Sequence, residues 1–193
     1  MHLDYPREKI KRSDEYLLEL ALQGDRACFG ELIERWQRKI YGFICRYVGN
    51  STDAEDLTQD TFTKAYTNLD RLADPARFSS WLYKIALNEC RMRFRRQRRV
   101  HSVSWQDEQG APARPELAVE TTPETELAAK EDVELLREVF SQLPEEQKAV
   151  ILMKEYQGLK FHEISEILGI PLSTVKSRMY LGLKTLRKLM EAR

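Results

Sequence analysis

The chain has 193 residues, of which 42% are hydrophobic and 32% are charged, and its formal net charge is +0. This composition is typical of a helix-rich globular protein with one or two small domains. No apolar run approaches the roughly 18 residues that a membrane-spanning helix needs, and the polar N-terminus shows no export signal. We therefore expect a cytoplasmic protein without membrane insertion.

The cysteines and histidines give no indication of a bound group. Cys28, Cys45 and Cys90 are far apart in the chain, which is typical of reduced thiols in a cytoplasmic protein. Neither a CxxC nor an HExxH spacing occurs, so the sequence predicts no metal site and no cofactor.

Charge and composition divide the chain into segments. The first 99 residues hold 19 Lys/Arg and 15 Asp/Glu, and within them residues 1–12 form a polar tail. Residues 100–125 hold one Lys/Arg and five Asp/Glu, and are rich in proline and small residues. Residues 126–193 hold 11 of each sign. The pattern predicts two domains, at 13–99 and 126–193, joined by a flexible linker.

Two helices open the first domain. Ser13 is a suitable cap for a short helix that ends near Gly24. From Phe29 to Val48, apolar residues recur at steps of three and four, which predicts a long helix with one apolar face. Gly49 is expected to stop it.

A third helix is predicted at about residues 53–68, with Thr52 and Glu55 as a capping box. One of its faces is acidic and polar. The residues alone favour solubility and compensation of the helix dipole as the reason for that face. It consists of Asp53, Asp56, Asp60 and the neighbouring Gln59.

The fourth helix begins aromatic and ends basic. Its apolar stripe fades after Cys90, and six of the nine residues from Arg91 to Arg99 are arginine. A solvated helix end favoured by the dipole is the simpler interpretation, but six arginines exceed that need. The density of positive charge indicates a helix that binds a polyanion.

Aromatic residues at the start of this helix have two open interpretations. Phe78, Trp81 and Tyr83 could stack on unpaired bases or pack in the core. We expect core packing to be stronger for Trp81 than for Tyr83.

The second domain ends in a helix-turn-helix pattern. A short helix closes at Gly169, Pro171 follows, and Leu172 or Ser173 opens a longer basic helix. An ordinary helical hairpin is the alternative, although the turn, the caps and the polar face together favour entry into the DNA major groove. The inward stripe is predicted to be Val175, Met179, Leu183, Leu186 and Leu189, and the outward face Ser173, Lys176, Ser177, Tyr180 and Lys184.

No segment of useful length has strand periodicity, so the fold class is all-α, in two small helical bundles. Three segments, DAEDLTQDTFTKAY, FSSWLYKIALNECRMRFRRQRR and LKFHEISEILGIPLSTVKSRMYLGLKTLRKL, together resemble a bacterial RNA polymerase sigma factor of the extracytoplasmic-function (ECF) group in the sigma-70 family. The resemblance covers nearly the whole chain, with the segments in the family's order.

This resemblance implies three sets of contact residues. The core polymerase would be bound by Asp56, Gln59, Asp60 and Phe62, with Asp53 on the same acidic face. The −10 promoter element would be bound by Asn88, Arg91 and Arg95, with Tyr83 and Arg98 beside them. The −35 element would be read by Thr174, Lys176, Ser177, Arg178 and Tyr180, with Ser173 and Lys184 on the same helix face.

The resemblance also implies the partners. They are the beta and beta-prime subunits of core RNA polymerase, promoter DNA and an anti-sigma factor. The gene set would respond to stress or another signal, and the sigma factor itself would perform no covalent chemistry.

Two other functions compete with this interpretation. A regulator with the same helix-turn-helix would bind duplex DNA tightly without polymerase and would make little use of Asp56 or Asp60. A recombinase or nuclease would need a nucleophile or metal-binding carboxylates in a preorganised pocket, and the sequence indicates none.

Overall fold

The computed structural model describes residues 12–101 and 138–192, without the side chains of 98–101. The regular elements in these ranges are all helical, as the sequence predicts. Apart from Arg12, the predicted tail lies outside the described residues, as does the predicted linker beyond His101. The N-terminal helices are α1 (Asp14–Leu22), α2 (Arg26–Val48), α3 (Ser51–Thr67) and α4 (Phe78–His101). The C-terminal helices are α5 (Glu145–Ile151), which continues into a π-helical turn (Leu152–Tyr156), α6 (Phe161–Leu168) and α7 (Leu172–Glu191).

Local signals set the ends of the first two helices. Ser13 Oγ accepts a hydrogen bond from Tyr16 N at 3.2 Å, which confirms the predicted cap of α1. Gly49 ends α2 in the left-handed region, with φ of 80°, where a side chain would be strained.

The predicted capping box at the start of α3 is wrong. Asn50 is the cap, because its side-chain oxygen accepts a hydrogen bond from Asp53 N at 3.1 Å. The helix therefore begins at Ser51, and Thr52 already lies in its first turn. Asn50 and Thr52 both belong to residue types that cap helices well, and Asn50 is the one that directly follows the left-handed turn at Gly49.

The N-terminal core lies where α2, α3 and α4 meet. Aromatic rings carry much of this packing: Phe43 meets Tyr83 edge-on, with 5.5 Å between ring centroids, and Trp36 meets Phe78 at 6.1 Å. Aliphatic side chains fill the remainder, and those fully shielded from solvent include Leu32, Ile40, Ile44 and Leu82. Burial of this kind contributes about 1.5–3 kcal/mol for each large side chain.

The C-terminal domain contains the predicted helix-turn-helix. Gly169 ends α6 with φ of 65°, and α7 begins three residues later. Ile164 and Ile167 of α6 are buried, as are Val175 and Met179 of α7. The structure therefore confirms the turn at Gly169 and the start of α7 at Leu172, although no side chain caps α7.

The prediction that Leu183 belongs to the inward stripe of α7 is wrong. Leu183 is 46% exposed, and Gly182 is the buried residue at this level of α7. A Cβ at Gly182 would lie 2.7 Å from Ile151 Cδ1 and 3.2 Å from Gln147 Cβ. Because α7 crosses α5 too closely for a side chain here, the glycine faces the core and Leu183, one residue on, is rotated towards solvent.

The two domains are in contact. Helix α4 lies against α6, and α2 lies against the π-helical turn. Side chains also bond across the boundary: Tyr47 Oη lies 2.9 Å from Glu145 Oε1, and Tyr83 Oη lies 2.6 Å from Gln157 Oε1. The sequence predicted two bundles but not this arrangement.

The close crossing at Gly182 can be tested by stability measurements. We expect Gly182→Val to lower the free energy of unfolding by about 1–3 kcal/mol, because the new side chain overpacks the α5–α7 contact. The matched control is Gly30→Val in α2, where an added Cβ meets no atom within 4 Å. Urea denaturation followed by circular dichroism gives both values, and equal effects would contradict the crowding at Gly182.

Candidate nucleic-acid and partner interfaces

The exposed polar side of α3 holds three of the five predicted polymerase-binding residues. Asp56, Gln59 and Asp60 are exposed along the helix. Phe62 and Asp53 are both buried. The structure therefore separates the predicted set into an exposed row and two residues that face the protein.

The Asp53 carboxylate is bonded inside the protein. One oxygen accepts a hydrogen bond from the Arg93 guanidinium, and the other lies 3.4 Å from Gln97 Nε2. A buried carboxylate needs such partners, because its loss of hydration is costly. Asp53 thus ties α4 to α3, an arrangement that does not favour a direct contact with another protein.

A second polar bridge joins the same two helices. Lys64 Nζ of α3 lies 2.6 Å from Glu89 Oε2 of α4, and Glu89 is 6% exposed. Glu89 and Asp53 also line the same polar pocket. These bridges hold α4 where its apolar stripe is ending.

A groove of about 760 Å³ lies between α2 and α3. Gln59 and Phe62 line it from α3, and Ile33 and Tyr41 line it from α2. Phe62 is therefore largely shielded but still lines a concave surface. Sequence reasoning missed Tyr66, which also lines the groove and is 43% exposed. The sequence could have indicated Tyr66, because it lies four residues after Phe62 and therefore on the same helix face.

The arginines of α4 lie in three environments. Arg93 faces α3, as described above. Arg95 and Arg96 are exposed. Arg91 is partly buried, with its Nε 3.2 Å from Glu145 Oε1 of the other domain. Sequence reasoning did not single out Arg96, which lines the polar pocket beside Asp53, because a run of arginines does not show which way each of them faces.

The aromatic residues of α4 are placed differently from the expectation. Tyr83 is 2% exposed, and its hydroxyl donates to Gln157. Trp81 is only partly buried, with its ring centroid 6.2 Å from that of Phe78. The prediction of stronger core packing for Trp81 than for Tyr83 is therefore wrong, because Tyr83 faces both Phe43 and the C-terminal domain.

Burial also fixes the protonation of Tyr83. It raises the pKa of the phenol above its usual range, so the hydroxyl stays protonated and can donate its hydrogen bond. Among the other predicted −10 residues, Asn88 is exposed. The side chain of Arg98 lies outside the described residues.

Most residues predicted for the outward face of α7 are exposed, and their role in reading DNA stays a prediction. Thr174 is partly buried. Arg178 has 22% of its side chain exposed, and its Nη2 lies 2.6 Å from Glu146 Oε2 of α5. The remaining predicted −35 residues are exposed, Tyr180 most of all at 70%; they are Ser173, Lys176, Ser177, Tyr180 and Lys184.

Within the two described ranges, no group of three or more His, Cys, Asp or Glu side chains is arranged to hold a metal ion. No helix in these ranges combines the length and apolar content needed to cross a membrane.

Two family models match the chain in order. The model of sigma-70 region 2 matches residues 32–100, and the model of sigma-70 region 4 matches residues 134–186. The first therefore spans α3 and α4, and the second spans the helix-turn-helix.

Curated relatives match over most of the chain. The ECF RNA polymerase sigma-E factor of Haemophilus influenzae is 32% identical over 171 residues, which are 87% of this chain and 90% of the relative. The ECF RNA polymerase sigma factor SigW of Bacillus subtilis is 31% identical over 86% of this chain and 90% of its own length.

Solved structures share the fold. CnrH, solved in complex with the cytosolic domain of CnrY, matches with a TM-score of 0.69 and 24% identity, over 94% of this chain and 99% of the other. The sigma factor RpoE of Bartonella quintana, solved with the anti-sigma factor NepR, matches with a TM-score of 0.71 and 21% identity, over 84% of this chain and 96% of the other.

Both family models and these relatives match the parts of the chain that contain the helices with the exposed surfaces. The chain belongs to the ECF group of the sigma-70 family, the sigma factors that direct RNA polymerase to initiate transcription at promoters.

Proposed function

We propose that this sigma factor uses three separate surfaces, one for core polymerase and two for promoter DNA. The observation that carries the proposal is the exposed polar row of α7, which starts directly after the tight turn at Gly169. Short side chains near the start of that helix can reach base edges, while Lys176 and Lys184 can reach phosphates. This surface would read the −35 element.

The surface for core polymerase consists of the exposed row on α3 and the adjoining groove. Asp56 and Asp60 supply charge, and Gln59 belongs to both the row and the groove. Charged groups at the rim of an interface guide association, while apolar side chains in a groove supply most of the affinity. A regulator that never binds polymerase would have no use for this combination.

The surface for the −10 element is the outer side of α4. Arg95 would bind the phosphate backbone, and Asn88 would lie near the opened bases. We assign Asp53 a positioning role, since it holds Arg93 and Gln97 against α3 and so fixes the face of α4 on which Arg95 is exposed. Energy spent on separating the strands would be offset by bases captured on this surface.

The mechanism follows from linking two weak binding sites. With both domains fixed on the polymerase, recognition of one promoter element raises the effective concentration of the other site. The sigma factor would carry out no covalent chemistry, since the polymerase makes the RNA. It would act in the bacterial cytoplasm, together with the polymerase.

We also propose control by an anti-sigma factor. The Bartonella protein was solved with the anti-sigma factor NepR, and CnrH was solved with the cytosolic domain of CnrY. A partner of this kind would silence the protein until a stress or another signal releases it.

The polymerase surface is tested by reversing its charge. We expect Asp56→Lys with Asp60→Lys to weaken core polymerase binding roughly tenfold or more, because like charges would then face each other. Glu19→Lys with Glu34→Lys is the matched control, since it changes the net charge equally at exposed positions on α1 and α2. Competition for core polymerase against a labelled sigma factor provides the measurement. Undiminished binding of the α3 variant would favour a regulator that acts without polymerase.

Two arginine variants in α4 distinguish a contact with DNA from a contact inside the protein. We expect Arg95→Ala to lower the log–log salt slope of promoter binding by the holoenzyme by about one unit, because one phosphate contact is lost. Arg93→Ala should leave that slope nearly unchanged but lower the free energy of unfolding by about 1–3 kcal/mol, since it leaves Asp53 without its partner. Filter binding over a salt series and urea denaturation distinguish the two. A slope that changes only in Arg93→Ala would contradict the assignment.

A further inference from the structure

Two large apolar side chains lie next to each other on the outer side of α7. Tyr180 is 70% exposed and Leu181 is 46% exposed, whereas Val175 and Met179 of the same helix are buried. A single exposed leucine is common on protein surfaces, but adjacent apolar side chains rimmed by polar residues are typical of an interaction site. We call Tyr180 and Leu181 the apolar pair.

The apolar pair lies on the helix face that carries the predicted DNA-reading residues. Residues three and four positions apart are neighbours on a helix, so both members lie beside Ser177. Seven positions, close to two turns, separate Tyr180 from Ser173 and Leu181 from Thr174. From Ser173 to Leu181 the helix rises about 12 Å, which matches the width of the major groove. A helix that enters the groove by its start can therefore still bring Leu181 to a base edge.

Positive side chains surround the apolar pair. Lys176 and Lys184 are exposed on the same side of α7, and the exposed Lys188 follows one turn after Lys184. Glu191 is the one acidic residue of this helix, and its Oε1 lies 2.7 Å from Arg187 Nε. Apolar groups inside a positive rim fit a partner that is anionic at its surface and apolar at a point between its charges.

DNA offers such a point in the major groove. The C5-methyl group of thymine is the apolar feature of the base edges there, while the other bases present hydrogen-bond donors and acceptors. A leucine that covers a polar edge leaves its groups without water or a partner, which costs free energy. Contact with a methyl group instead removes apolar surface from water on both sides. A leucine at a base edge therefore favours thymine through both effects.

We propose that Leu181 is a specificity-determining residue of this sigma factor, which reads the methyl group of a thymine in the −35 element. The inference rests on the proposed −35 role of α7 and deepens it by naming the base that this part of the helix selects. Recognition is then divided along α7. Short polar side chains at its start bind polar base edges, and Leu181 selects thymine two turns later.

The first experiment identifies the base. Holoenzyme assembled from core polymerase and the full-length protein is incubated with a library of random DNA duplexes, and the retained molecules are sequenced. We expect a thymine preference in the −35 element that Leu181→Ala lowers roughly threefold. Leu183→Ala is the matched control, because Leu183 is also 46% exposed but lies on another side of the helix. A missing thymine preference, or equal changes in the two variants, would overturn the proposal.

The second experiment removes only the methyl group. The preferred thymine is replaced by deoxyuridine, which keeps the same hydrogen-bonding edge. We expect holoenzyme with the unchanged protein to bind the deoxyuridine promoter roughly threefold more weakly, and holoenzyme with Leu181→Ala to bind both promoters equally. The same loss in both proteins would mean that another residue reads the methyl group, which contradicts the proposal.

A third variant gives a result that misfolding cannot produce. Arginine forms two hydrogen bonds with guanine, at O6 and N7. We therefore expect Leu181→Arg to change the preferred base at the same position from thymine to guanine, measured with the same library. A thymine preference that persists in Leu181→Arg would also overturn the proposal.

Further comparisons separate this inference from the proposed function. If Lys176→Ala and Ser177→Ala both leave promoter binding and −35 preference unchanged, the −35 role of α7 is wrong, and so is the inference. If Ser177→Ala alters the −35 preference while Leu181→Ala does not, the −35 role stands and the inference alone is wrong. If Leu181→Ala instead weakens binding of core polymerase, measured by competition against a labelled sigma factor, the apolar pair contacts a protein and the inference is wrong.

Discussion

The burial of the first half of α4 is the constraint on which the rest of the structure depends. Phe78, Leu82 and Tyr83 are nearly inaccessible and hold the helix against α2. The second half of the same helix is densely positive, so it cannot be held by the same kind of contact. Its position is set by polar bridges to α3, through Arg93 and Glu89, together with the ring contact of Phe94 with Tyr47, at 6.0 Å between centroids. One rigid helix can therefore be a core element at its start and a charged surface at its end.

The division of the arginines follows from this arrangement. The Arg93 guanidinium satisfies the buried Asp53 carboxylate, Arg96 lines the same polar pocket between α3 and α4, and Arg95 is left in water. In the proposed −10 surface, Asp53 would act without facing DNA, by fixing the face of α4 on which Arg95 is exposed. The acidic face that the sequence showed on α3 consequently serves two purposes: Asp53 acts inwards, and Asp56 and Asp60 face outwards.

What the sequence predicts well here is local. The cap at Ser13 and the left-handed turns at Gly49 and Gly169 depend on neighbouring residues, and the structure confirms them. The start of α3 was misassigned because Asn50 and Thr52 are both competent caps, and only the geometry of the preceding turn selects between them. The all-α class followed from periodicity, which extends over many residues and averages out single errors.

What could not be predicted depends on distant residues. The Tyr83 hydroxyl bonds to Gln157, which lies 74 positions away in the chain, while its ring packs on Phe43 of α2. The pairing of Arg91 with Glu145 likewise joins two domains across the predicted linker, and no local pattern indicates it. For the same reason, the residues at the three proposed surfaces remain predictions, supported by exposure and charge, whereas membership of the family rests on matches along the chain.

The glycine at the α5–α7 crossing has a consequence for how promoter preference can change. Gly182 and its neighbours Val175 and Met179 fix where the reading helix lies, and none of them is exposed. The side chains of the proposed −35 surface form a different set, on the opposite side of the helix. If they read the promoter as proposed, mutation can change the recognised sequence without moving the helix, so a lineage or a protein engineer can obtain new specificity while the scaffold stays intact.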